Sequence, residues 1–149
     1  SAILIAGDAN GWYESGAVSD VTISNNTFKD ACMSSMYQFC EGIISVYPII
    51  PVVDSLKPYH RNITIERNTF YAFDYPVLYA LSVDGIRFNQ NKIIRSHLYE
   101  PFHYRKHFIT FDACMQAEVN GNVFEGDVLS KDIRTERMDA GQLKSDITQ

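Results

Sequence analysis

The sequence predicts an all-β chain wound as a right-handed, single-stranded parallel β-helix of about four rungs, part of a longer solenoid. Three observations predict it: a motif that recurs four times, an apolar strand ahead of each copy, and polar turn residues at fixed places within it. The motif is apolar, any, apolar, any, any, Asn, any, Phe or Ile. It runs from Val21 through Ile23 and Asn26 to Phe28, and from Ile63 through Ile65 and Asn68 to Phe70. It returns at Ile86, Phe88, Asn91 and Ile93, and more weakly at Ala117, Val119, Asn122 and Phe124.

Alternation at the first and third positions puts both side chains on one face of a strand. Two polar residues then bend the chain, where Asn tolerates a left-handed backbone. The Phe or Ile that follows points inward on the next strand. Stacked at about 4.8 Å per rung, Asn26, Asn68, Asn91 and Asn122 should form a ladder of side-chain amides. The leading strands are 3–6, 42–47, 77–83 and 108–111, so strand plus motif makes one rung. Spacings of 42, 23 and 31 residues between the ladder asparagines place loops of unequal length between constant turns. In solenoids such insertions gather on the binding face.

These rungs occupy 1–126. The stretch 127–149 carries nine charged residues and few large apolar ones, and reads as an edge cover, a linker or a frayed tail. The chain opens inside an apolar strand, Ser1-Ala2-Ile3-Leu4-Ile5, as expected of a fragment whose open first edge self-associates.

A hydrophobic fraction of 46% and a charged fraction of 21% suit one folded domain. A net charge of −5 without basic clusters argues against a nucleic-acid partner. No apolar run approaches the roughly 20 residues that a membrane helix needs. Cys32, Cys40 and Cys114 form no CxxC pair and read as small buried hydrophobes. His97, His103 and His107 share a loop that Pro101 and its aromatic neighbours make unsuitable as a regular metal-binding face. No metal or cofactor is implied.

Two places attract chemistry. The loop Gly7–Gly16 gathers Asp8, Asn10, Trp12, Tyr13 and Glu14 among three glycines; aromatic faces of this kind stack on sugar rings. The alternative is a tight turn in which Asp8 caps its own backbone. Glu41, beside Phe39, Cys40 and a run of isoleucines, would be raised in pKa if buried unpaired, which suits a general acid. The alternative is a surface Glu at a strand start. His60, beside Tyr59 at the end of an inserted loop, is placed to touch a ligand from the rim.

The run Ile3-Leu4-Ile5-Ala6-Gly7-Asp8-Ala9-Asn10-Gly11-Trp12-Tyr13-Glu14-Ser15-Gly16-Ala17-Val18, then Val21-Thr22-Ile23-Ser24-Asn25-Asn26 and Glu41-Gly42-Ile43-Ile44-Ser45, resembles glycoside hydrolase family 110. These are bacterial α-1,3-galactosidases of Bacteroides type. The resemblance covers about residues 1–125, and the Gly7–Gly16 loop is its most specific part. It implies inverting removal of terminal α-1,3-linked galactose, blood group B antigen included, and a galactose-terminated glycan as partner. It further implies Asp8 and Glu41 as catalytic carboxylates; Asn10, Trp12, Tyr13, Glu14 and His60 are the candidates for contact with the substrate. A periplasmic or extracellular location goes with it. Inversion needs two carboxyls about 6.5–9.5 Å apart. Asp8 follows one leading strand and Glu41 precedes the next, over ~10 Å apart at about 3.3 Å per residue. So the register differs, the loop folds back, or a partner carboxylate lies upstream. The competing classes are a non-catalytic carbohydrate-binding or adhesin-type β-helix and, last, a polysaccharide lyase, for which no Ca²⁺-type carboxylate cluster is visible.

Overall fold

A computed structural model describes residues 1–13, 15–31 and 41–147. The first rung is β1 (Ile3–Ile5), β2 (Ser19–Ser24) and β3 (Thr27–Lys29), and the second is β4 (Ile44–Val46), β5 (His60–Glu66) and β6 (Thr69–Ala72). The third is β7 (Leu78–Leu81), β8 (Val83–Asn89) and β9 (Lys92–Arg95), and the fourth is β10 (Ile109–Asp112), β11 (Ala117–Asn120) and β12 (Val123–Glu125). Two more strands, β13 (Ile133–Glu136) and β14 (Leu143–Ser145), follow.

Every pairing is parallel and joins a strand to its counterpart one rung away. The result is three sheets in the orders β1-β4-β7-β10-β13, β2-β5-β8-β11-β14 and β3-β6-β9-β12. This is a parallel β-helix. The charged segment after 126 contributes β13 on β10 and β14 on β11, so it covers the edges of two sheets and leaves β12 as the edge of the third.

Register follows the motif. Ile23 pairs with Ile65, Ile65 with Phe88 and Phe88 with Val119, and from Ile65 onward this column is fully buried. Phe28 lies flat on Phe70 at 4.8 Å, one rung spacing, and Phe70, Phe88, Phe108 and Phe124 continue the aromatic contacts through the core at 5.0–5.7 Å.

At the corner between the second and third sheets, the side-chain carbonyl oxygens of Asn68, Asn91 and Asn122 each accept two hydrogen bonds from the Asn of the preceding rung. One comes from its backbone N–H at 2.9 Å and one from its side-chain amide at 3.1–3.2 Å. The Nδ2 groups of Asn68, Asn91 and Asn122 also donate to Ile23, Ile65 and Phe88 carbonyls at 2.9–3.0 Å. Asn68 and Asn91 are buried without an orphan amide group. The left-handed backbone at this bend belongs to the residue before each ladder Asn, namely Asn25, Arg67, Gln90 and Gly121. The ladder residue itself is held by its two-way amide, a tie that only Asn among small side chains supplies.

Candidate active site

Glu41 stands just ahead of β4, where the chain runs hard against the third rung. A side chain at Gly42 would meet the Pro76 carbonyl and the Tyr79 backbone N at 3.1 Å, so glycine permits the approach. Over this corner folds the 96–108 insertion. Asp74 pins it by accepting the N–H groups of Phe102 at 2.9 Å and His103 at 2.8 Å. His103 Nδ1 accepts the Arg105 N–H at 3.1 Å, and its ring stacks on Tyr104 at 4.8 Å.

Tyr104 and Arg105 are thereby aimed at one oxygen. Glu41 Oε2 accepts from Tyr104 Oη at 2.6 Å and from Arg105 Nε at 2.8 Å. The Arg105 guanidinium lies 4.5 Å above the Tyr79 ring. The hydroxyl of the same ring leans toward Asp112 Oδ2 at 3.5 Å, a long contact. Arg137 grips both Asp112 oxygens, at 2.6 and 2.5 Å. Burial, then the Asp112 charge, pushes the Tyr79 phenol well above its ordinary value; the Glu41 carboxylate adds to this and Arg105 opposes it. Burial and the hydrogen bond to Glu41 push Tyr104 up to about 12. Both phenols are therefore hydrogen-bond donors at neutral pH, and two carboxylates act on one tyrosine.

Glu41 is thus not the unpaired carboxyl among apolar groups that its sequence surroundings suggest. It is a partly covered carboxylate, its side chain 18% exposed, held by a cation and a phenol.

Asp8 is elsewhere. It bridges Ile49 in the register that pairs Ile5 with Val46, so it lies level with a residue eight places beyond Glu41. That is about 26 Å of extended chain, far outside the separation of an inverting pair. The structure does not bring Asp8 and Glu41 together, because they stand at opposite margins of the first sheet. The Asp8 carboxylate is the hub of its own turn. It accepts the N–H groups of Asn10 at 2.9 Å, Gly11 at 2.6 Å and Trp12 at 2.9 Å. Those bonds, Trp12 foremost, hold its pKa below the ordinary carboxylate value. The turn presents Asn10, Trp12 and Tyr13 to solvent, Trp12 at 81% exposure. Glu14 lies outside the described residues, as do Cys32 and Cys40.

His60 is a correction. It opens β5 fully buried, not at a rim, and its Nδ1 accepts the Val18 N–H at 2.9 Å. Burial lowers its pKa to about 4, so it is a neutral structural imidazole. Cys114 is buried, with its thiol pushed up to about 12 by burial, consistent with a packing role. No cluster of three or more His, Cys, Asp or Glu side chains able to hold a metal occurs among the described residues. No helix among them is long and apolar enough to cross a membrane.

No protein-family model matches the chain. It is 54% identical over 144 residues to alpha-1,3-galactosidase B of Bacteroides thetaiotaomicron, covering 97% of this chain and 23% of that protein. It is 42% identical over 147 residues to alpha-1,3-galactosidase A of Bacteroides fragilis, covering 99% and 24%. With alpha-1,3-galactosidase B of Parabacteroides distasonis it shares 38% identity over 138 residues, 91% and 22%. The chain belongs to the α-1,3-galactosidase family. It spans about a quarter of the length of these relatives.

Within this galactosidase segment, sequence reasoning missed Tyr79, Tyr104, Arg105, Asp112 and Arg137. A signal existed for two of them. Tyr79 and Asp112 occupy positions in the leading strands that alternate with the buried Leu78, Ala80, Ile109 and Phe111, so alternation alone puts them on the outer face. An acidic residue closing an apolar strand is a second cue at Asp112. Nothing local marks Arg105, which reaches Glu41 across 64 residues of sequence.

Proposed function

We propose that the protein to which this segment belongs removes terminal α-1,3-linked galactose from glycans, blood-group-B-type structures among them, with inversion at the anomeric carbon. The outer face of the first sheet carries part of its site. The observation behind this reading is the assembly of Glu41, Tyr104, Arg105, Tyr79 and Asp112 on one face of a segment whose relatives are named alpha-1,3-galactosidases.

Glu41 serves best as the base. A cation and a phenol hold one of its oxygens in a fixed position, its other oxygen is not committed to them, and the side chain is partly open to solvent. Asp112, 4% exposed and held bidentately, orients Tyr79 from the opposite side and is the second carboxylate to test. Asp8 organises the loop that offers Trp12 and Tyr13 as stacking surfaces for sugar. The glycan substrate suits a periplasmic or extracellular place of action. The outer edges of β1, β2 and β3 suit self-association of the isolated chain.

A second reading, a carbohydrate-binding β-helix without catalysis, is favoured by one observation: Asp8, Glu41 and Asp112 are all held by donors within the fold. Full-length protein, mixed with α-1,3-, α-1,4- and α-1,6-linked galactobiose and followed by proton NMR, separates the two. Release of β-galactose first, from the α-1,3 isomer alone, supports inverting hydrolysis. Binding without turnover selects the second reading, and α-galactose as first product removes inversion.

A further inference from the structure

Next to the Glu41 cluster, the outer face of the first sheet holds an open cleft of about 330 Å³, lined by Tyr104, Lys106, His107, Thr110, Arg134 and Glu136 among others. That size is at the lower end of the ~300–1,000 Å³ range of ligand pockets. Register fixes its position. Thr110 pairs with Tyr79 on one side and Arg134 on the other, so the cleft begins one rung from Tyr79 and runs along the helix axis.

Two of its polar atoms stand without partners. Thr110 is 1% exposed, and its Oγ1 makes no hydrogen bond; His107 Nδ1 is equally enclosed and equally unmatched. A buried polar atom with no partner is costly, and two of the five such atoms among the described residues line this one cleft. The hydroxyl both donates and accepts, and the imidazole nitrogen does either according to tautomer. Around them lie the half-exposed face of Tyr104 and the Arg134 guanidinium, which Glu136 balances at 3.4 Å. Paired hydrogen-bonding atoms beside an aromatic face, with Arg134 ion-paired to Glu136, describe a site for a polyhydroxyl ring.

We infer that this cleft is the subsite for the sugar on the leaving side of the cleaved bond, its ring hydroxyls completing Thr110 Oγ1 and His107 Nδ1. The inference rests on the galactosidase reading above. It assigns the terminal galactose to the Glu41 and Tyr79 cluster, and the next sugar to the open neighbouring cleft through which a longer glycan exits to solvent.

The test uses full-length enzyme and two substrates, α-1,3-galactobiose and an aryl α-galactoside whose leaving group has no sugar hydroxyls. Thr110→Val keeps the shape and removes the hydroxyl; Thr110→Ser restores it. The Val variant should lose about tenfold in kcat/KM on the disaccharide, the scale of an unmatched hydrogen bond, with the aryl galactoside changed less than twofold and the Ser variant close to wild type. Equal losses on both substrates, or none on either, overturn the subsite. Should Thr110→Val fail to fold by circular dichroism, His107→Ala is read by the same ratio. If wild type cleaves neither substrate, the galactosidase reading has failed, and calorimetric titration with α-1,3-galactobiose decides the subsite alone. Binding weakened about tenfold in Thr110→Val but unchanged in the remote Glu125→Gln then supports it. Equal binding in all three, or none in wild type, overturns it.

Discussion

Two corners of this coil contrast sharply. The bend between the second and third sheets is made once and copied: Asn26, Asn68, Asn91 and Asn122 each tie to the next through the same pair of bonds. The corner at the first sheet is copied nowhere. Glu41, Tyr79, Tyr104, Arg105, Asp112 and Arg137 come from separate rungs and loops and meet only because the coil stacks them. The difference lies in the insertions. The turn from Asn68 to Asn91 takes 23 residues, whereas that from Asn91 to Asn122 takes 31 and includes the loop that brings Tyr104 and Arg105 to Glu41. Repetition supplies the scaffold, and departures from repetition bring the charged and phenolic side chains together.

That contrast can be broken at the unique corner first. Glu41→Gln in the full-length protein should lower kcat by about 10²–10⁴-fold with the melting temperature little changed, because it removes the proposed base and no core atom. A melting temperature that collapses while the residual folded enzyme turns over normally would make Glu41 a structural ion-pair partner instead. At the repeated core, Phe88→Ala should cost about 3–5 kcal/mol in chemical denaturation, since Phe88 is fully buried between Phe70 and Phe108. At the ladder, Asn68→Ala should cost about 1–3 kcal/mol, with Asn26 and Asn91 losing partners on both sides. A neutral Asn68→Ala would mean that water replaces the amide, and that the column marks the repeat without holding it.

The repeated half of the molecule was legible because each rung states its own rule. Apolar alternation fixes which face of Ile63, Ile65, Ile86 and Phe88 is buried, and the Asn marks the bend whatever lies between rungs. The left-handed residue was not legible, since Asn25, Arg67, Gln90 and Gly121 share no single side-chain type. Of the side chains that meet on the outer face of the first sheet, the sequence analysis names Glu41 alone. Its partners depend on where the 96–108 insertion lands, and loop geometry has no period to read. Asp8 shows the opposite limit. A carboxylate among glycines looks the same in sequence whether it awaits substrate or closes its own turn, and here it accepts three of its loop's N–H groups.

His60 tests the boundary between the two regions, because the sequence puts it with the loops and the structure puts it with the core. Its Nδ1 accepts the Val18 N–H, so a proton added there would face a donor, and burial disfavours the imidazolium further. The folded pKa of about 4 lies below the ordinary 6.5. The unfolded chain therefore takes up the proton first, and stability present above pH ~6.5 is lost as pH falls toward about 4. At pH 5 the loss from this one group should be about 2 kcal/mol. Asp8, Asp20 and Asp127, whose pKa values are all lowered from 3.8, act only below that window. Denaturation midpoints at pH 7 and pH 5, in wild type and in His60→Gln, isolate the effect: the pH 5 deficit should shrink by most of its size in the variant. An imidazole that titrates near 6.5 by NMR, or a deficit the variant leaves intact, would return His60 to the solvent-facing loop and with it the rim.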